Sequence, residues 1–86
     1  MPELSRFFGI VITMYARDHG PPHFHARFGE HEAMFDIESS QVLRGRLPKR
    51  AHDLVDQWSD LHRSELRAAW DALGQGTNPD KIAPLS

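Results

Sequence analysis

His19 to Ile37 reads HGPPHFHARFGEHEAMFDI, and the two residues at its centre, Gly29-Glu30, decide the fold. Apolar and polar side chains alternate on both sides of that dipeptide, the period of a strand half buried in a sheet. Glycine at the first central position is what a two-residue type II′ hairpin turn requires. That turn dictates a register. Phe28 faces His31, Arg27 faces Glu32, Ala26 faces Ala33, His25 faces Met34, Phe24 faces Phe35 and His23 faces Asp36. Directly opposed residues share a face. Phe24, Ala26, Phe28, Ala33, Phe35 and Ile37 therefore form an apolar face. His23, His25, Arg27, Glu32, Met34 and Asp36 form a largely polar one. A slip of one residue would destroy this sorting.

Working outward, Phe7 to Tyr15 reads as one strand, with β-branched residues at Ile10, Val11 and Ile12. Ala16 to Pro22 reads as a loop, because Pro21 and Pro22 cannot donate to a ladder. Residues 40 to 47 read as a fourth short strand or an extended lead-in. Pro48 then suits the first turn of a helix. Ala51, Leu54, Val55, Trp58 and Leu61, followed by Leu66, Ala69, Trp70 and Leu73, recur at helical spacing. The stripe shifts between His62 and Glu65. A kink or a division is open at that point; with no Gly or Pro there, the expectation is one long helix over about residues 48–73, with room for a bend, and Gly74 as its left-handed cap. The predicted fold is α+β: an antiparallel sheet of three or four strands, whose apolar face packs against that C-terminal helix. Trp58 and Trp70 are expected as core anchors. Residues 77–86 form a tail with a small apolar patch.

The chain has 86 residues, of which 40% are hydrophobic and 26% charged. It is expected to form a single domain, 1–86, close to the lower size limit for a self-sufficient core. It has no cysteine, which excludes a disulfide framework, a thiolate metal site and a cysteine nucleophile. The N-terminal stretch lacks the charge and cleavage pattern of a signal peptide, and the apolar run is too short to span a bilayer. A cytoplasmic protein is expected, without membrane partners. Ten basic against twelve acidic residues argue against strong nonspecific nucleic-acid binding. The local exception is Arg44, Arg46, Lys49 and Arg50, a candidate contact for a partner or a nucleic acid.

The chemistry centres on the polar face of the hairpin. His23 and His25 lie two residues apart on one strand and so point the same way, with Asp36 opposite His23. Imidazoles and a carboxylate suit a divalent transition metal such as zinc, nickel or copper, and His19 in the preceding loop is a further candidate ligand. Without a metal, His23, His25 and Arg27 are candidate catalytic residues for phosphodiester cleavage, two imidazoles as acid and base and the guanidinium on the developing charge. The competing reading is an ordinary solvated strand face carrying cross-strand ion pairs.

Several segments together resemble the bacterial family of domain of unknown function 4160. They are MPELSRFFGIVI at Met1 to Ile12, HGPPHFHARFGE at His19 to Glu30, LPKRA at Leu47 to Ala51, WSDLHRSEL at Trp58 to Leu66, and KIAPL at Lys81 to Leu85. One departure is Gly20, where relatives often carry a third proline. The resemblance implies a small bacterial protein, commonly encoded beside another small protein in an arrangement similar to toxin–antitoxin pairs. It implies no catalytic role for any residue. The expected function is an interaction protein, binding that neighbour or a second copy of itself as a homodimer. The alternative is a metal-dependent or histidine-based nuclease or hydrolase using the His23/His25 face.

Overall fold

The computed structural model describes residues 2–16 and 18–86; Met1, and Arg17 of the expected loop, lie outside the described residues. Five strands run in sequence order: β1 (Glu3–Phe7), β2 (Ile10–Thr13), β3 (His23–Phe28), β4 (His31–Asp36) and β5 (Val42–Gly45). Two helices follow, α1 (Lys49–Leu61) and α2 (Arg63–Gly74). The strands form one antiparallel sheet in the order β1-β2-β3-β4-β5.

The β3–β4 hairpin has the register that its turn implies, from Phe28 opposite His31 to His23 opposite Asp36. Gly29 takes the positive φ of 60° at the first central position, as a type II′ turn demands.

Two expectations are corrected. The sheet has five strands rather than three or four, because the run from Phe7 to Tyr15 is not one strand. A second two-residue turn at Phe8-Gly9 folds Glu3–Phe7 back onto Ile10–Thr13, pairing Phe7 with Ile10. Both turn residues have positive φ, 48° and 78°, the pattern of a type I′ turn. Glycine adopts this freely. A bulky L-residue does not, at a cost of about 1–2 kcal/mol, and the Phe8 side chain is also exposed. Phe8→Asn is therefore expected to raise stability by about 1 kcal/mol, since Asn-Gly is the preferred type I′ pair. Urea unfolding checks this, and a loss of stability would show that the Phe8 ring contributes to the folded monomer.

The second correction concerns the helix. It divides at His62, whose φ of −121° leaves the helical region, so there are two helices rather than one. The break coincides with the shift in the apolar stripe, and sheet contacts stabilise it. The Arg63 guanidinium donates to the Ile37 carbonyl at 3.0 Å, to Ser40 Oγ at 2.8 Å and to Asp60 Oδ1 at 2.7 Å. Ser59, fully buried, meets Ser40 Oγ at 3.1 Å. The helical bonds from His62 N–H to the Trp58 carbonyl and from Leu66 N–H to the His62 carbonyl persist across the break. At the far end Gly74 is still helical and Gly76 is the left-handed residue, with φ 79°. Thr77 N–H donates to the Ala72 carbonyl and Gly76 N–H to that of Leu73, which closes α2 in a Schellman motif.

Phe7, Ile10, Ile12, Phe24, Ala26, Ala33 and Phe35 are buried on one sheet face, beneath Ala51, Val55 and Trp58 of α1. Trp58 is fully buried and packs against Phe7 and Phe24, with ring centroids 5.3 and 5.9 Å away. The tail docks rather than dangling. Ile82 N–H donates to the Leu4 carbonyl at 2.8 Å, which covers part of the β1 edge, and Trp58 Nε1–H donates to the Ala83 carbonyl at 2.9 Å. On the opposite edge β5 is pinned by Gly45, with φ 76°. A Cβ there would sit 2.2 Å from the Glu32 carbonyl oxygen, so the close approach of β5 to β4 depends on this glycine. Among the described residues no helix is long and apolar enough to cross a membrane.

Candidate metal centre

The loop between β2 and β3 positions the site. Pro22 holds Pro21 in an extended conformation, and the Ile37 N–H donates to the Pro22 carbonyl at 3.0 Å, tying the loop to the end of β4. The Pro21 carbonyl is thereby turned toward His23. It accepts a hydrogen bond from His23 Nδ1 at 2.7 Å. A carbonyl only accepts, so Nδ1 carries the hydrogen and Nε2 turns to the other side of the ring. There it lies 2.8 Å from Asp18 Oδ2.

His25 repeats the arrangement. Its Nδ1 faces Glu32 Oε2 at 3.4 Å, and its Nε2 faces the same Asp18 Oδ2 at 3.5 Å. Strand geometry explains the convergence, because His23 and His25 are two residues apart on β3 and share a face. His25 Nε2 is buried yet has no hydrogen-bond partner. Each imidazole thus has an oxygen acceptor behind it and an Nε2 directed at one carboxylate. This is how metal-binding histidines are usually oriented, the far nitrogen held by a carbonyl or carboxylate. One ligand atom from each of Asp18, His23 and His25 lies within 4.8 Å of the others.

The distances can be compared with a tetrahedral zinc centre. Bonds of about 2.0–2.1 Å put neighbouring ligand atoms about 3.3 Å apart. The Asp18–His25 separation of 3.5 Å already fits. The Asp18–His23 separation of 2.8 Å is a hydrogen-bond length, and a small rotation of Asp18 would open it. With the hydrogen of His23 committed to Pro21, Nε2 and the carboxylate oxygen are two lone-pair atoms in contact. They need a cation between them, either a second ring proton or a metal ion.

Burial works to raise the Asp18 carboxyl, but the hydrogen bond with His23, the adjacent His25 and the His19 N–H outweigh it. The group is held below the usual aspartate range and is ionised at neutral pH. Aromatic rings wall the site. Tyr15 packs edge-on against His25 at 4.6 Å, and Trp70 of α2 lies 5.1 Å from His23. His23 is only 2% exposed, so this end of the polar face is not a solvated strand surface. Trp70, expected in the core with Trp58, is half-buried at the core's edge and covers the site.

The other candidates are placed elsewhere. Asp36 accepts from the Ser39 N–H at 2.8 Å and the Ser39 hydroxyl at 2.9 Å, which hold its carboxyl low and commit it to the β4–β5 turn. His19 is exposed, and neither it nor Asp36 belongs to the metal-spaced group. Arg27 is exposed on the same strand face as His25. Arg44 lines a groove of about 240 Å³ with His25, Glu32 and Met34. Lys49, paired with Asp53 at 2.8 Å, and Arg50 line a different groove on α1. The four cations of residues 44–50 therefore do not line one groove. Arg27, Arg44, Arg46 and Arg50 take part in no ion pair among the described residues.

Asp18 was missed from the sequence. The available signal was its position in DHGPPHFH: a carboxylate one residue before the loop histidine, with two prolines fixing how the chain returns to β3.

No curated protein and no solved structure matches the chain. The family model described as domain of unknown function (DUF4160) matches residues 9–71, a span that holds β2 to β5, α1, most of α2 and all three clustered residues. The chain belongs to the DUF4160 family.

Proposed function

We propose that this protein binds one divalent transition metal, of the zinc, nickel or copper class, through Asp18, His23 and His25. The observation that carries the reading is the orphaned His25 Nε2. It is a buried nitrogen without a partner, 3.5 Å from a carboxylate oxygen that already faces a second imidazole. Leaving a buried polar atom unpaired costs about 1–3 kcal/mol, and a metal ion removes that cost while using the lone pair. Elemental analysis of tag-free protein is the test. The wild type is expected to carry close to one transition-metal ion per chain after incubation with zinc and gel filtration, and Asp18→Asn much less. Equal metal content in the two proteins would remove the reading.

Two chemical consequences of such a site support a hydrolase, nuclease activity included, as an extension of this reading. A metal with three protein ligands keeps room for water, and it lowers the pKa of that water toward neutrality. Arg27, in no ion pair among the described residues, supplies a cation on the same strand face as His25. Phosphodiester cleavage that survives Asp18→Asn would dissociate any such activity from this site.

A second reading, an interaction role within a toxin–antitoxin-like pair or a homodimer, is favoured by Phe8. Its ring is 59% exposed on a backbone that disfavours it, and Phe28 is exposed at the same end of the sheet. A residue costly to the monomer in both respects is consistent with use by a partner. Sedimentation of the wild type and Phe8→Asn, alone and with the product of the neighbouring gene, tests it. Identical behaviour of the two proteins would count against a contact at Phe8.

A further inference from the structure

Beside the candidate metal centre lies a cavity of about 90 Å³ lined by Tyr15, Asp18, Trp70, Leu73 and Gly74. Its walls include the two aromatic rings that pack on the ligand histidines, and Asp18 belongs to both the cavity and the metal-spaced group. Of the three side chains Asp18 is the most exposed, at 32%, against 14% for His25 and 2% for His23. His25 also lines the groove of Glu32 and Arg44, but Glu32 faces its Nδ1 and not the Nε2 that turns to Asp18. Pro21 stands behind His23 and Glu32 behind His25. An ion held by these three residues therefore communicates with solvent chiefly past Asp18.

We infer that the metal keeps an exchangeable coordination position facing this cavity, and that the position takes a small monoanion. The inference rests on the metal-binding reading above and adds the class of ligand to it. Size, charge and lining each contribute. Water occupies about 30 Å³ in the liquid, so the cavity holds about three waters, or one anion of three or four heavy atoms such as formate, bicarbonate or azide. A divalent ion bound by one carboxylate retains a unit of positive charge. Trp70 and Leu73 present apolar surface that strengthens its attraction for an anion. The remaining polar residue of the lining is Tyr15. Three protein ligands with one open position is the pattern of a reactive metal centre, whereas a structural zinc site is closed by four.

Gly74 gives access to a specific test. It lies in the last turn of α2, and a Cβ there would meet nothing within 4 Å. Gly74→Met is therefore expected to fill the cavity, which of the three ligands only Asp18 lines, without reaching His23 or His25. The metal-free protein is loaded with cobalt(II), whose visible spectrum reports coordination, and azide is then added. Wild-type protein is expected to bind one cobalt(II) and to show a saturable spectral change with azide. Gly74→Met is expected to bind cobalt(II) equally well and azide at least tenfold more weakly. A wild-type cobalt spectrum unmoved by azide would mean a closed site and overturn the inference while leaving metal binding intact. An undiminished azide response in Gly74→Met would place the exchangeable position elsewhere and overturn it too. Failure to bind cobalt(II) at all would overturn the metal-binding reading itself.

Discussion

His25→Ala is expected to weaken zinc binding by more than about 100-fold while leaving the metal-free protein folded and nearly as stable as the wild type. Removing groups that merely support metal ligands commonly costs 10–100-fold in affinity, so loss of a ligand should exceed that. The stability half of the expectation comes from the unpaired Nε2. In the metal-free chain His25 buries an Nε2 whose nearest acceptor, Asp18 Oδ2, is a long 3.5 Å away, and alanine removes that poorly satisfied atom, a liability of up to about 1–3 kcal/mol. Against this stands the lost packing on Tyr15. The two effects oppose each other and leave a net change within about 1 kcal/mol. A histidine retained only for packing behaves in the opposite way. Its removal would destabilise the protein and leave metal content unchanged. Zinc titration calorimetry and urea unfolding of the metal-free variant together separate the two cases.

Trp58→Ala is expected to cost about 3–5 kcal/mol, the range for truncating a large buried aromatic. At about 0.05–0.15 kcal/mol per residue, 86 residues correspond to about 4–13 kcal/mol of stability. The variant should therefore lose about a quarter or more of its stability and be partly unfolded at the low end of that range. Trp58 joins three parts of the molecule. Its ring meets Phe7 of β1 and Phe24 of β3, it touches His62 at the helix break 5.5 Å away, and its Nε1–H holds the tail at Ala83. Trp58→Phe separates packing from tethering. It should retain most of the stability but speed amide exchange in the tail around Ile82, because the Ala83 bond is lost. A cost below 1 kcal/mol for Trp58→Ala, read by urea unfolding, would contradict the placement of this ring at the centre of the core.

The sequence was most legible where local chemistry and burial agreed. Gly29-Glu30 supplied both a turn type and a register, and the alternation on either side left one consistent sorting of side chains. It was less legible at Phe8-Gly9. The turn needs positive φ at both residues, and phenylalanine is a poor indicator of that, so the apolar run around it reads as one strand. The helix break was visible as a shift in the apolar stripe. What completes it is the fan of Arg63 hydrogen bonds to Ile37 and Ser40, residues more than twenty positions away, and no local pattern records such a contact.

The candidate site divides in the same manner. His23 and His25 follow from strand periodicity. Asp36 was equally well placed by register, directly opposite His23, but Ser39 turns its carboxylate into the β4–β5 turn. Asp18 comes from a loop whose path depends on Pro21, Pro22 and the docking of Pro22 on Ile37. Periodicity reports which face a strand residue occupies. It does not report which loop residue returns to that face.

The central claim is that Asp18, His23 and His25 together hold one metal ion, and X-ray absorption at the zinc edge of the tag-free, zinc-loaded protein tests it most directly. Two imidazoles and additional oxygen ligands at about 2.0–2.1 Å are predicted, falling to one imidazole in His25→Ala. A spectrum with fewer than two imidazoles, or one that His25→Ala leaves unchanged, would contradict it.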